Sequence, residues 1–134
     1  MPVAFFPLSN KRPELAAQAL QAAEQDWDFV TEVKDLKIAA FAVNAAIELY
    51  RATGKTSYAN SAVEYGKIIL ACQQRKITSW NLPVAGFFYT TPDKKSIVHY
   101  SHDSHEQSPI VALSQLCNLF PDHPDWIKWY SAVS

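Results

Sequence analysis

The sequence predicts a mainly α-helical fold, built from antiparallel helical hairpins with a small inserted β-hairpin. Apolar residues recur at steps of three and four along most of the chain, which is the spacing of one helix face. Proline stands in the expected first turn of three helices, at positions 13, 109 and 124, and one tight link joins two of the apolar stripes. A chain of 134 residues has the length of one domain, so we treat 1–134 as a single segment.

The composition excludes several classes of protein. Hydrophobic residues make up 49% of the chain and charged residues 19%, which is the balance of a folded domain rather than a disordered one. Twelve Lys and Arg stand against thirteen Asp and Glu with no basic run, so we expect no nucleic-acid partner. No stretch of about 20 apolar residues suggests a membrane span, and the first residues do not form a signal peptide, so no membrane partner is expected and the compartment stays unknown.

The first three helices have the clearest limits. We expect the first over 13–29 and the second over 36–53, followed by Gly54 where a left-handed cap is usual. The third is expected over 57–75. Because the link at Gly54 is too short for any other arrangement, the second and third helices are predicted to be antiparallel. Their inward faces are predicted to carry Leu36, Ala40, Val43, Ile47 and Tyr50 on the second helix and Tyr58, Ala62, Tyr65, Ile69 and Cys72 on the third.

A short β-hairpin is predicted after the third helix. Residues 86–90 and 96–100 are rich in aromatic and β-branched side chains, and 91–95 has the composition of a turn. A two-stranded hairpin is marginally stable alone in water, so we expect it to lie against the helices.

The last two helices are expected over 108–119 and 124–133. The final one carries Trp126, Trp129 and Tyr130 on one apolar face, and the chain stops there without a helix cap. We therefore expect a fragment of a larger helical protein. Because large exposed apolar patches are rare on stable monomers, we also expect this face to pair with a second copy of the chain.

Several motifs resemble a known architecture. The helix link has the pattern Ala-x-x-Leu-Tyr-x-x-Thr-Gly-Lys-x-x-Tyr, followed by Ala-x-x-Tyr and a helix that ends in Gln-Gln. It is similar to the links of the six-hairpin (α/α) toroid glycosidase superfamily. Residues 86–89, 102–109 and 120–124, together with Trp129, resemble a central segment of glycoside hydrolase family 9-like proteins.

This resemblance implies a piece of a carbohydrate-active enzyme that hydrolyses O-glycosyl bonds in an oligosaccharide or polysaccharide. It implies no cofactor. The catalytic base of that family stands on an N-terminal Asp-Ala-Gly-Asp type motif, and its proton-donating glutamate lies near the C-terminus. Neither motif is present in this sequence. We therefore expect the chain to be inactive alone.

One segment concentrates the residue types used in catalysis. It contains His99, His102, Asp103, His105 and Glu106, directly before the expected helix at 108. Asp103 and Glu106 are the candidate catalytic carboxylates, and the histidines are candidate hydrogen-bond donors to a sugar. The same residues are also consistent with helix capping and ordinary surface histidines. A metal site is a third interpretation, but it lacks a distant fourth ligand, and we predict no metal.

Exposed aromatic rings are the remaining candidates for a binding surface. Trp80 and Tyr89 lie in the expected loop and hairpin, where flat rings can stack on sugars, and we assign them with His99, His102 and His105 to carbohydrate binding. The alternative function is a non-enzymatic helical-hairpin interaction module. In that case Trp126, Trp129 and Tyr130 would form its protein-binding face.

Overall fold

A computed structural model describes residues 12–30, 32–98 and 107–134. These ranges are mainly helical, which confirms the predicted fold class at that level. The five helices are α1 (Pro13–Trp27), α2 (Leu36–Thr53), α3 (Thr56–Cys72), α4 (Ser108–Leu119) and α5 (Trp126–Val133).

Helix α2 has well-defined caps at both ends. The carboxylate of Asp35 accepts a hydrogen bond from the Ile38 backbone N–H at 2.8 Å, which satisfies one of the free donors of the first turn. At the other end Gly54 adopts the predicted left-handed conformation, with φ of 71°. Only Gly54 and Lys55 separate α2 from α3, so the chain reverses direction between them. All the predicted inward residues of both helices are buried except Tyr50 and Tyr65, which are half-buried.

Helix α3 ends at Cys72, three residues before the predicted end. Residues 73 and 74 leave the helix because their backbone pairs with a later segment. The Gln74 N–H donates to the Phe87 carbonyl at 2.8 Å, and Gln73 forms an isolated antiparallel bridge with Phe88. The Gly86 N–H in turn donates to the Gln74 carbonyl at 2.7 Å.

Residues 86–90 lie between the end of α3 and residues 96–98. Tyr89 forms an isolated antiparallel bridge with Ile97, and the Val98 N–H donates to the Phe88 carbonyl at 3.1 Å. In the described part of the chain these pairings are bridges rather than strands, and the end of the predicted return strand, at 99–100, lies outside the described residues. The Thr90 carbonyl accepts the Leu36 N–H at 2.8 Å. The segment is therefore attached to α2 and α3 at the end of the pair opposite Gly54.

The core lies where α2, α3, α4 and α5 meet. Gly66 in α3 allows α3 and α4 to approach closely, because a Cβ there would lie 2.8 Å from Leu116 Cδ1 in α4.

Helix α5 begins at Trp126 rather than at Pro124, because Pro124 and Asp125 belong to the preceding turn.

Helix α1 is attached to the α2–α3 pair by a polar contact and an aromatic contact. Glu24 Oε1 accepts hydrogen bonds from Lys55 Nζ and from the Tyr58 hydroxyl, each at 2.8 Å. The ring of Trp27 packs edge-on against Tyr58 and Tyr65, with both centroid distances at 5.9 Å.

The expectation that Trp129 lies on an exposed face is wrong. Its side chain is fully buried, and its ring stacks on His123 with centroids 4.9 Å apart. Tyr130, the next residue, is 49% exposed and stacks on Trp126 at 4.9 Å. The apolar residues of α5 therefore lie in two environments. Trp129 packs in this chain's own core, while Trp126, Ile127 and Tyr130 lie at or near the surface.

Candidate functional site: an aromatic row beside a polar groove

The predicted site residues fall into two groups. Trp80 and Tyr89 lie in the described part of the chain, and the structure brings them to one surface. His99, His102, Asp103, His105 and Glu106 lie outside the described residues.

Three aromatic side chains in contact form a surface that we call the aromatic row: Trp80, Phe87 and Tyr89. The rings of Trp80 and Phe87 stack with centroids 5.5 Å apart and planes inclined by 28°. The ring of Phe87 is 5.3 Å from that of Tyr89, at an angle of 56°. Trp80 remains 49% exposed, so much of its ring surface is open to a ligand.

The extended backbone explains why these rings share one side. Successive side chains of an extended segment alternate between two sides, which places Phe87 and Tyr89 together and Phe88 opposite them. Phe88 packs against the helical core. Backbone hydrogen bonds hold this segment on both edges, including Tyr89 N–H to the Cys72 carbonyl at 2.8 Å. Phe87 and Tyr89 therefore stand on a hydrogen-bonded backbone, and Trp80 reaches them from the preceding loop by stacking on Phe87.

A polar groove lies next to the aromatic row. It has a volume of about 290 Å³ and is lined by Gln73, Gln74, Arg75, Ala85, Gly86, Ser131, Ala132 and Ser134. Gln74 joins the two features, because its Oε1 accepts a hydrogen bond of 3.3 Å from the Tyr89 hydroxyl. A ligand on the row can therefore reach polar groups of the groove.

Gln73 connects the segments that surround the groove. Its side chain is buried, and its Nε2 donates to the carbonyls of Gly86, at 2.9 Å, and of Ala132, at 3.0 Å. Its Oε1 accepts from Arg75 Nη1 at 2.9 Å. One amide thus connects the end of α3, the extended segment and α5, which satisfies polar groups that would otherwise be buried without partners.

Sequence reasoning missed Gln73 and Arg75 as site residues. The Gln-Gln pair was noticed only as a helix ending, and nothing in the local pattern singles out Arg75. Their partners are Gly86, Ser131 and Ala132, which are far away along the chain. No spacing rule connects such positions, so only the tertiary fold identifies the groove.

The segment that carries Phe87 and Tyr89 does not contain two carboxylate side chains. Asp93 is the only acidic residue between positions 73 and 98. The Thr91 hydroxyl donates a hydrogen bond to its carboxylate, which lowers the pKa of Asp93 and favours the ionised form. An ionised carboxylate accepts protons and does not donate them, so Asp93 lacks the protonation state of a general acid. The described residues of this segment therefore contain no acid and base pair for glycoside hydrolysis.

Within 12–30, 32–98 and 107–134, no three His, Cys, Asp or Glu side chains are grouped so that they could hold a metal ion. No helix in those ranges combines the length and apolarity needed to cross a bilayer. Comparison of the chain with protein-family models, with curated proteins and with solved structures found no match.

Proposed function

We propose that this chain binds an oligosaccharide or polysaccharide along the aromatic row, as one part of the substrate cleft of a glycoside hydrolase. The observation that carries the proposal is the geometry of Trp80. Its ring is stacked on Phe87, which holds it in place, yet the side chain is 49% exposed. A large flat ring that is both held and exposed is a suitable platform for the apolar face of a sugar.

The polar groups beside the row complement this interpretation. Sugar hydroxyls donate and accept hydrogen bonds, and the groove offers the side-chain amide of Gln74, the hydroxyl of Ser134 and the guanidinium of Arg75. Sites for small ligands commonly combine aromatic walls with a few polar groups that fix the orientation. The row and the groove together have that composition.

The surrounding helices fit a segment of an (α/α) toroid, and we include that architecture in the proposal. Helices α2 and α3 form one hairpin, α4 and α5 form a second, and α4 packs against both members of the first. In a toroid, segments that join helices line the cleft, and the row stands on such a segment. The bridges of residues 86–90 to 96–98 support the predicted inserted β-hairpin.

Catalysis requires groups beyond those of the row. Asp103 and Glu106 remain the proposed catalytic candidates, and His99, His102 and His105 the proposed sugar contacts from the same sequence segment. Because hydrolysis needs an acid together with a base or nucleophile, and the sequence lacks the family's two catalytic motifs, we expect this chain to bind saccharide without turnover.

The test is a titration with a neutral β-linked gluco-oligosaccharide, followed by isothermal titration calorimetry and accompanied by an assay for released reducing ends. We expect weak, saturable binding that Trp80→Ala abolishes. The matched control is Tyr130→Ala, because Tyr130 has the same 49% exposure and also stacks on a neighbouring ring. The control variant should bind as the unmodified chain does.

Two results would overturn this proposal in different ways. Binding that survives Trp80→Ala and disappears in Tyr130→Ala would place the ligand on α5. Turnover that Asp103→Asn or Glu106→Gln abolishes would identify a self-sufficient enzyme and refute the expectation of inactivity.

A protein-interaction module is the second candidate, and the exposure of α5 favours it. Ile127 is 60% exposed and Tyr130 49%, so an apolar patch remains at this helix although Trp129 is buried. We propose self-association through this patch. Sedimentation should then show a dimer that Ile127→Glu disrupts, whereas a monomer at high concentration would contradict it.

A further inference from the structure

Arg75 is a cation without an acidic partner in the described part of the chain. The ion pairs found there involve other Lys and Arg residues, and Arg75 contacts only neutral side chains. No acidic residue is among those that line the groove. A positive charge that lines a groove and has no acidic side chain beside it attracts an anionic ligand group.

The guanidinium of Arg75 is also oriented in advance. Its Nη1 donates to Gln73 Oε1 at 2.9 Å, and its Nη2 donates to Ser131 Oγ at 2.8 Å. Gln73 is itself fixed by the carbonyls of Gly86 and Ala132. A guanidinium has five N–H donors, so three of them have no partner among the described residues. An arginine held in this way loses little side-chain freedom when it binds.

We propose that Arg75 recognises a carboxylate on the saccharide, so that the preferred ligand is a uronate-containing oligosaccharide. This inference rests on the proposed function and specifies its ligand. The aromatic row receives the apolar face of one sugar unit, and Arg75 binds the carboxylate of a unit in the groove. The planar guanidinium matches a carboxylate in geometry and forms charge-assisted hydrogen bonds with it.

Contact between the two features supports a single ligand that uses both. Gln74 lines the groove and accepts a hydrogen bond from the hydroxyl of Tyr89 in the row. Gly86 also lines the groove, and the next residue along the chain is Phe87 of the row. A free inorganic anion would use Arg75 alone and gain nothing from the rings. An acidic saccharide has both the flat apolar surface and the charge.

The experiment compares two ligands that differ only at the exocyclic carbon of each sugar unit. The first is a neutral β-linked gluco-oligosaccharide, and the second is the same molecule with its hydroxymethyl groups oxidised to carboxylates. At low ionic strength we expect the acidic ligand to bind about tenfold more tightly, and the preference to shrink as salt is added. Arg75→Gln should abolish the preference, so that the two ligands bind with similar affinity.

Lys76→Gln is the matched control, because it removes a neighbouring exposed cation that does not line the groove. It should preserve most of the preference. Arg75→Lys keeps the charge but loses the planar fork, so the preference should fall to an intermediate value. Should Arg75→Gln fail to fold, the unmodified chain still tests the proposal, since a preference that added salt does not reduce would overturn the role of a cation at position 75.

The outcomes separate this inference from the proposed function. Equal affinity for the two ligands would overturn the role of Arg75 and leave saccharide binding intact. A preference that persists in Arg75→Gln would do the same. Failure of both ligands to bind would overturn the proposed function itself, and the uronate specificity with it.

Discussion

Trp129 and Trp80 show how differently two parts of this molecule use the same side chain. Trp129 is fully buried among the helices and stacks on His123, whereas Trp80 is 49% exposed and stacks on Phe87 in the extended segment. The first has already left water, and its burial stabilises the fold. The second still has ring surface that a ligand could cover. Substitution in the helical core should therefore reduce the stability of the fold, whereas substitution in the aromatic row should mainly reduce ligand binding.

The largest expected effect is in the core. Trp129→Ala should destabilise the fold by about 3–5 kcal/mol, because it removes a fully buried side chain and leaves a cavity. Trp129→Phe should cost clearly less, since it keeps a ring and removes an indole N–H that has no hydrogen-bond partner among the described residues. Urea unfolding followed by circular dichroism measures both. Equal costs for the two variants would contradict the packing described.

A smaller effect is expected where the two regions meet. Gln73→Ala should destabilise the fold by about 1–3 kcal/mol, because it removes the amide donor of the buried hydrogen bond to the Ala132 carbonyl and of the part-buried hydrogen bond to the Gly86 carbonyl. The control is Gln74→Ala, the same change one residue later, where the side chain is half-buried and its hydrogen bond to Lys76 is exposed. A larger loss for Gln74→Ala than for Gln73→Ala would refute this role of Gln73.

The attachment of α1 should make stability depend on pH. Hydrogen bonds from Lys55 and Tyr58 lower the pKa of Glu24, so its stabilising contribution is present above the unfolded value of 4.5 and is lost as pH falls through the folded value. Burial and the hydrogen bond to Glu24 raise the pKa of Tyr58 to about 12, so its contribution is present below 10.0 and is lost as pH rises toward 12.

Tyr58→Phe tests the alkaline part of this dependence. It should cost about 1 kcal/mol at neutral pH and reduce the loss of stability above pH 10.0, because the ring stays packed while the hydroxyl is removed. Urea unfolding across the pH range gives both quantities. An unchanged alkaline slope would mean that another group controls it.

The smallest expected effect on stability is in the row. Trp80→Ala should change the free energy of unfolding by less than about 1 kcal/mol, since half of this side chain is exposed and its main contact is the ring of Phe87. The same unfolding measurement applies. A loss comparable to that of Trp129→Ala would show that Trp80 belongs to the core.

The sequence predicted the helices well because their signals are local. The end of α2 was predicted from Gly54, and its apolar stripe was predicted from helical spacing. Periodicity placed Trp129 and Tyr130 on one helix but did not reveal that the first contacts this chain's own core. The end of α3 was predicted three residues late, because Gln73 pairs with Phe88 from a later segment.

The candidate site was predictable only in part. Trp80 and Tyr89 were identified by their chemistry, and the structure connects them through Phe87. Gln73 and Arg75 were not identified, since their roles depend on backbone and side-chain groups from distant parts of the chain. Contacts of that kind have no local pattern.

The most direct test of the central claim is an NMR titration that follows the indole N–H signals of the four tryptophans while oligosaccharide is added. All four lie in described ranges, and they sample three environments: Trp129 in the core, Trp27 and Trp126 half-buried on helices, and Trp80 in the row. We expect the Trp80 signal to shift in a saturable way and the Trp129 signal to stay at its position. A shift of Trp126 with Trp80 unchanged, or no shift of any indole at saturating ligand, would contradict this expectation.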